Sequence, residues 1–351
     1  MNNKNAPDNA TADDELLLIE DWLAFLMASK GRARSTINKY RGYLIKLQTH
    51  LIQEHKTLLL LARYEQLEHY TGIWLHKKGV APKSRHAIVA ACRGFYEWLQ
   101  SKDHIHSDPS EQLQYPNTGR KLPKQLGLSN AEKLLMQPDI NSFTGLRDAA
   151  MLALLMSTGM RVSGLVNLNQ EQLFWYQYQD KQRLALLVTE KGGHERELPV
   201  PHEAMLLLQA YLGHDELQEI DRTLPSGEQV LFVSVRNRKV PVHEYRGEAR
   251  RLTQKSVWSF MQKYGEAAGL PEELCHPHAL RHMLGAEMME EDITTLQIQA
   301  ILGHADPKTS EIYARIARGK LTEVVDKANP LRKIKTAVTP LVQEMKKRGA
   351  L

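Results

Sequence analysis

Cysteine is scarce in this chain. Only Cys92 and Cys275 occur among 351 residues, far apart and outside any CxxC spacing. That argues against a disulfide framework or a cysteine zinc site and for a reducing compartment. Long apolar runs are missing as well: the longest, Ala149 to Met156, has eight residues, against the roughly twenty that a membrane span requires. The opening MNNKNAPDNATADDE is polar and acidic, without the apolar stretch of a secretory signal. A cytoplasmic protein with no membrane partner is therefore expected. No GxxxxGK[ST] loop and no carboxylate cluster suited to Mg²⁺ is found, so neither a nucleotide cofactor nor a metal is expected. Internal repeats and low-complexity tracts are also lacking.

Basic charge is present, and it is unevenly spread. The net charge is +5, and residues 1–125 account for all of it, with 18 Lys+Arg against 13 Asp+Glu. Between Lys30 and Lys46 six basic residues occur with no acidic one, interleaved with Tyr40, Tyr43 and Leu44 at helical spacing. Such a run is either a solvated face or a helix laid along a phosphate backbone. Two further runs, Arg236 to Lys263 and Arg332 to Arg348, tilt the balance toward nucleic acid.

A composition 42% hydrophobic and 25% charged fits a globular chain of about two domains. Residues 1–12 read as disordered. Apolar periodicity then predicts four helices within 13–106: one capped by Asp13 or Asp14 and running to Ala28, then Ser35 to Glu54, Tyr64 to His76 and Ser84 to Leu99. Three prolines without periodicity mark 107–127 as a linker. A second domain over 128–330 should hold helices at Ala131–Met136 and Leu146–Ser157, the latter ending at Thr158-Gly159. A β-hairpin from Arg183 to Pro199 turns at Lys191-Gly192-Gly193-His194. A helix (Ala204–Leu212), a short strand (Gln229–Val235) and a helix (Gln254–Gly269) follow, and 331–351 reads as a basic tail. The fold class is mainly α with a small β-sheet (α+β).

The densest chemistry lies between His276 and Ile316. Pro277 opens a helix whose first turn presents His278 and Arg281 on one face while Leu280 points inward. Leu302-Gly303-His304 ends another helix, and Tyr313 sits on the first turns of the next. Upstream, Gly159 delivers Arg161 just past a helix end. Guanidinium forks pair bidentately with phosphate and stay charged. A phenol with a reference pKa near 10 becomes a nucleophile where cations help it ionise. The stretch reads as a phosphate-handling site.

The set Thr158-Gly159-Met160-Arg161-Val162-Ser163, Lys191 in a KGG turn with Arg196 and Pro199 after it, His278-x-Leu280-Arg281-His282, Leu302-Gly303-His304 and Tyr313 resembles the tyrosine recombinases, the phage-integrase and Xer-like site-specific recombinases. The resemblance runs nearly the whole length. It implies a two-domain DNA clamp: an N-terminal four-helix core-binding domain, with 36–51 and 84–99 as its clamping helices, and a C-terminal mixed α/β catalytic domain. Its catalytic residues would be Arg161, Lys191, His278, Arg281, His304 and Tyr313. Tyr313 would be the nucleophile of a 3′-phosphotyrosyl intermediate, Lys191 the general acid for the 5′-hydroxyl, and His278 and His304 donors or proton shuttles; His282 reads as structural. DNA contacts fall to Arg34, Lys39, Arg41, Lys83, Arg85, Arg120 and Lys121. The implied partners are double-stranded DNA, further copies in a synaptic tetramer, and accessory DNA-bending or directionality proteins. Residues 321–327, joined through Arg318-Gly319-Lys320 as a flexible joint, resemble the segment that docks on a neighbouring subunit.

Gly164 departs from the pattern, because the family usually carries an acidic brace three residues after the first arginine. Glu171 is a candidate substitute. Three rival readings remain open: a type IB topoisomerase with the same active-site chemistry, a catalytically silent DNA-binding protein, and a metallohydrolase using His276, His278 and His282. The last is disfavoured by Arg281, which would repel a cation.

Overall fold

A computed structural model describes residues 11–118, 126–179, 181–189, 195–303, 318–335, 339, 340 and 343. The chain divides into two compact units, Met1–Leu122 and Pro123–Leu351. Among the described residues it is mostly helical, with one three-stranded sheet.

In the first unit α1 (Ala12–Lys30) begins two to three residues earlier than a cap at Asp13 or Asp14 would place it. Thr11 caps it: the Asp14 amide donates to the Thr11 hydroxyl at 3.2 Å, and the Thr11 amide donates back to the Asp14 carboxylate at 2.9 Å. The acidic residues thus fill the first turn, where the helix dipole favours them, and leave the cap to the hydroxyl. Helix α2 (Arg34–His55) follows. The third expected helix is broken in character: α3 (Tyr64–Glu68) widens into a π-helical segment, His69–Trp74, and closes as α4 (Leu75–Lys77). Pro82 at the first helical position opens α5 (Pro82–Ser101), where its missing N–H costs nothing. Trp22, Leu44, Leu47, Phe95, Tyr96 and Leu99 meet in one core. Buried Glu15 ties the ends together, accepting from the Leu60 amide at 2.8 Å and from Gln48 at 3.1 Å.

The second unit is built around α7 (Phe143–Thr158), buried along almost its entire length. An all-round apolar helix of that kind needs neighbours on every side. It receives them from α6 (Leu128–Leu135), α9 (His202–Leu212) and α12 (Pro277–Glu290). Helix α8 (Val162–Asn167) follows it directly; α10 (Asp215–Gln218) lies in the polar excursion, and α11 (Gln254–Ala267) precedes α12. The sheet runs β1 (Leu173–Tyr178), β2 (Lys181–Thr189), β3 (Glu195–Val200), antiparallel throughout. Strand β1 escaped the sequence reading because no glycine marks its turn; Gln179 takes the left-handed conformation, φ +49°, instead.

The strand expected at Gln229–Val235 is not one. Its residues make only isolated bridges, such as Asn169↔Val230 and Val233↔Arg251. Val230, Leu231, Phe232 and Val233 are buried, and side chains take their carbonyls: Arg222 on Val230 at 2.9 Å, Tyr211 on Leu231 at 3.0 Å, Arg147 on Val233 at 2.8 Å. Satisfied this way, buried backbone needs no ladder.

The flexible joint expected at Arg318-Gly319-Lys320 is instead the first turn of α14 (Arg318–Lys327). This helix packs on its own chain. Val324, Val325 and Ala328 join Leu284, Met288, Ile301 and Leu302 in a small core, and Arg183 pairs with Asp326 at 2.6 Å. Leu331 and Ile334 are buried in the main core of the unit, so packing continues past residue 330.

Candidate active site

Three arginines reach the same pair of helix ends. Helix α7 stops at Gly159, whose φ of +60° needs glycine; a Cβ there would also stand 2.5 Å from Leu302 Cδ2. The chain then places Arg161 at the cap of α8, where its Nη2 donates to the Gly303 carbonyl at 2.9 Å. Arg281, on α12 and only 6% exposed, donates to the Gly159 carbonyl at 2.5 Å and to that of Leu302. Arg196, on β3, donates to the carbonyls of Ile301 and, at 3.3 Å, Ala300. The acceptors belong to the last turn and cap of α13 (Thr295–Leu302, capped by Gly303 at φ +62°) and to the cap of α7. Terminal carbonyls lack intrahelical donors and carry the negative end of the helix dipole. They hold the guanidiniums without neutralising them.

The charge is under electrostatic pressure. Burial, then the neighbouring charges of Arg161 and Arg196, pulls the Arg281 pKa down to about 9. Burial and Arg161 pull that of Arg196 to about 9 as well, and burial lowers that of Arg161. Guanidiniums do not surrender their proton in proteins. What the site favours instead is an anion in front of them.

Gly164 has a steric explanation. A Cβ at this position would meet Val188 Cγ1 at 2.8 Å, because α8 lies directly against β2. Glu171 does not act as a substitute brace: both its carboxylate oxygens accept from the Gln229 amide, at 3.1 and 3.0 Å. Among the described residues, backbone carbonyls hold the arginines.

His276 caps α12, its Nδ1 accepting from the Ala279 amide at 3.1 Å. His278 on the first turn is exposed, so it shares the helix with Arg281 but not its burial. Partial desolvation, then the charges of Arg281, His276, His282 and Arg161, holds His278 below the usual histidine range and favours its neutral form. His282, expected to be structural, is exposed and fills no core. Lys191, His304 and Tyr313 lie outside the described residues, as do Arg120 and Lys121.

Among the basic residues of the first unit, Arg34, Lys39 and Lys83 are exposed. Arg41 is already engaged by Glu20, through Nε at 2.6 Å and Nη2 at 2.5 Å. Arg85 donates to the Gly72 carbonyl at 3.1 Å. Arg196 is the site residue to which sequence reasoning gave no role. Its signal was a basic residue opposite apolar Val188 in the hairpin.

Comparison with known proteins agrees with this architecture. The model of the Phage integrase family matches residues 125–319, and that of the Phage integrase N-terminal SAM-like domain matches 19–103. Tyrosine recombinase XerD of Pseudomonas putida is 31% identical over 313 residues, covering 89% of this chain and 97% of the relative. Tyrosine recombinase XerD of Vibrio cholerae serotype O1 is 29% identical over 316 residues, with 89% and 96% covered. Among solved structures, the XerH recombinase bound to palindromic difH substrate aligns with a TM-score of 0.65 at 17% identity, over 91% of this chain and 97% of the other. A lambda integrase dimer bound to a COC′ core site aligns at 0.56 and 17%, over 84% and 96%. At those identities the structures speak for the fold.

Proposed function

We infer the reaction from a premise now in hand: the chain belongs to the phage integrase family and is a site-specific tyrosine recombinase. Its substrate is double-stranded DNA, recognised at a defined site. The scissile phosphate sits before Arg161 and Arg281, whose fork-like donors match its non-bridging oxygens. Arg196, one carbonyl further along the same helix end, adds a third charge to the field. The Tyr313 hydroxyl passes its proton to His278 or His304 as its oxygen attacks phosphorus; a 3′-phosphotyrosyl bond forms, and the bond to the 5′-oxygen breaks. Lys191 gives that oxygen its proton, and His278 and His304 donate hydrogen bonds or relay protons. The phosphotyrosyl ester keeps the energy of the broken linkage, so a second 5′-hydroxyl can reverse the step without nucleotide hydrolysis.

The carrying observation is the anchorage of three guanidiniums on the carbonyl ends of α7 and α13. Such preorganised charge is what a developing phosphorane needs, because nothing has to reorient as the transition state forms. The working assembly is a tetramer on paired DNA sites, with accessory DNA-bending or directionality proteins setting the outcome as integration, excision, inversion or resolution. The protein acts in the cytoplasm; among the described residues no helix is long and apolar enough to cross a membrane. The test uses two plasmids, one carrying the DNA that flanks the gene and one unrelated and supercoiled. Recombination confined to the first supports the reading; relaxation of both indicates a topoisomerase.

A further inference from the structure

Three histidines of the first unit converge at a place that no role above uses. His50 and His55 stand near the end of α2, and His69 opens the π-helical segment. One ring nitrogen from each lies within 4.8 Å of the other two. The ring centroids form a near-equilateral triangle, 5.5 Å from His50 to His55, 6.3 Å from His50 to His69 and 6.1 Å from His55 to His69. His50 Nε2, His55 Nε2 and His69 Nδ1 are all shielded from solvent and make no hydrogen bond.

Buried polar nitrogens are ordinarily paired. One orphan is a local defect, but three on adjacent rings are a pattern. The rings do not pair with one another, and two aromatic rings flank His50: those of Tyr70 and Trp74, at 4.8 and 4.7 Å. Burial, then the proximity of His55, keeps His50 below the usual histidine range, against the opposing charge of Glu54. Its neutral form is the one with a lone pair to offer. The helical ladder also widens into a π-turn at His69, a distortion that recurs where helices carry functional sites.

We propose that His50, His55 and His69 are a tri-histidine site for a borderline divalent transition ion, with zinc as occupant, which fastens the last turn of α2 to the π-helical segment. Imidazole nitrogen suits this class of ion. Zinc–nitrogen bonds of about 2.0–2.1 Å put tetrahedral ligand atoms roughly 3.4 Å apart, so the rings must close in by about an ångström. A water oxygen would complete the shell. The sequence reading weighed a histidine metal site only at 276, 278 and 282, because spacings of five and fourteen residues match no familiar motif.

The test uses the full-length chain stripped with chelator and titrated with Zn²⁺, and with Co²⁺ as a spectroscopic probe. One equivalent should bind per chain, the cobalt form should show the visible bands of a four-coordinate site with three nitrogen ligands, and the unfolding midpoint should rise. His55→Ala/His69→Ala should weaken binding by more than about 100-fold and lose the bands. His278→Ala/His282→Ala should keep both. If the first double variant does not fold, His55→Gln preserves the side-chain bulk and gives the same comparison. No retained metal in the parent chain, full binding by the His55/His69 or His55→Gln variant, or loss on changing His278 and His282 overturns the proposal.

Discussion

Gly164 and Val188 are in such close approach that a Cβ on the first would stand 2.8 Å from Cγ1 of the second. Restoring the acidic residue usual at this position should therefore harm the protein. Gly164→Asp is expected to lose about 1–3 kcal/mol of stability through overpacking and to cleave DNA more slowly. Val188→Ala in the same chain should recover part of the stability, as read by thermal unfolding. A Gly164→Asp protein with unchanged stability and faster cleavage would contradict the steric account.

The three arginines make a second prediction. Since Arg161, Arg196 and Arg281 repel one another where they are buried, inorganic phosphate should raise the unfolding midpoint by binding the folded state. Arg281→Ala should shrink that rise. It should also slow strand cleavage by about 10²–10³, by analogy with deleting one preorganised oxyanion donor. Equal phosphate stabilisation of parent and variant would show that the anion binds elsewhere.

The C-terminal helix carries a third. Asp326 of α14 pairs with Arg183 of β2, which is 5% exposed, so Asp326→Ala leaves a buried cation without its partner. A loss of about 1–3 kcal/mol is expected, below the cost of a fully buried pair because Asp326 is itself half-open to solvent. Chemical denaturation measures it. Truncation after Lys320 removes Val324 and Val325 from their core, and should compromise the folding of the catalytic unit along with any pairing of subunits. A truncated chain as stable as the parent would contradict the packing described.

Much of this was legible in the sequence, and the parts that were not have identifiable causes. Gly159 and Gly303 announced two helix ends because only glycine takes the left-handed cap cheaply, and both stand at φ near +60°. Arg161 could be named from its place just past the first of those caps, and Arg281 from the helix start that Pro277 marks. Their braces could not, because backbone carbonyls leave no trace in side-chain identity; the search for an acidic partner led to Glu171, which accepts from the Gln229 amide instead. Strand β1 lacked a glycine turn, and the run at 229–235 was hydrophobic because it is buried, not because it is paired. Arg41 looked like its neighbour Lys39 until α1 brought Glu20 beside it.

That difference yields a fourth prediction, on salt dependence. If α2 follows the DNA backbone, Lys39→Ala should reduce the slope of log affinity against log salt by roughly one. Arg41→Ala should reduce it less, because Glu20 already occupies its guanidinium. Glu20→Gln, which frees Arg41, should steepen it. Identical slopes for all three would mean that this face of α2 looks into solvent.

The central claim is that Tyr313 is the atom donor to the broken strand. A nicked substrate carrying the recombination site lets the 5′-product diffuse away and traps the covalent complex, which is then digested and mapped by mass spectrometry. The account predicts a nucleotide esterified to Tyr313, and no adduct from Tyr313→Phe, which should fold and bind the site normally. An adduct that persists in Tyr313→Phe, or that maps to another of the chain's 12 tyrosines, would contradict it.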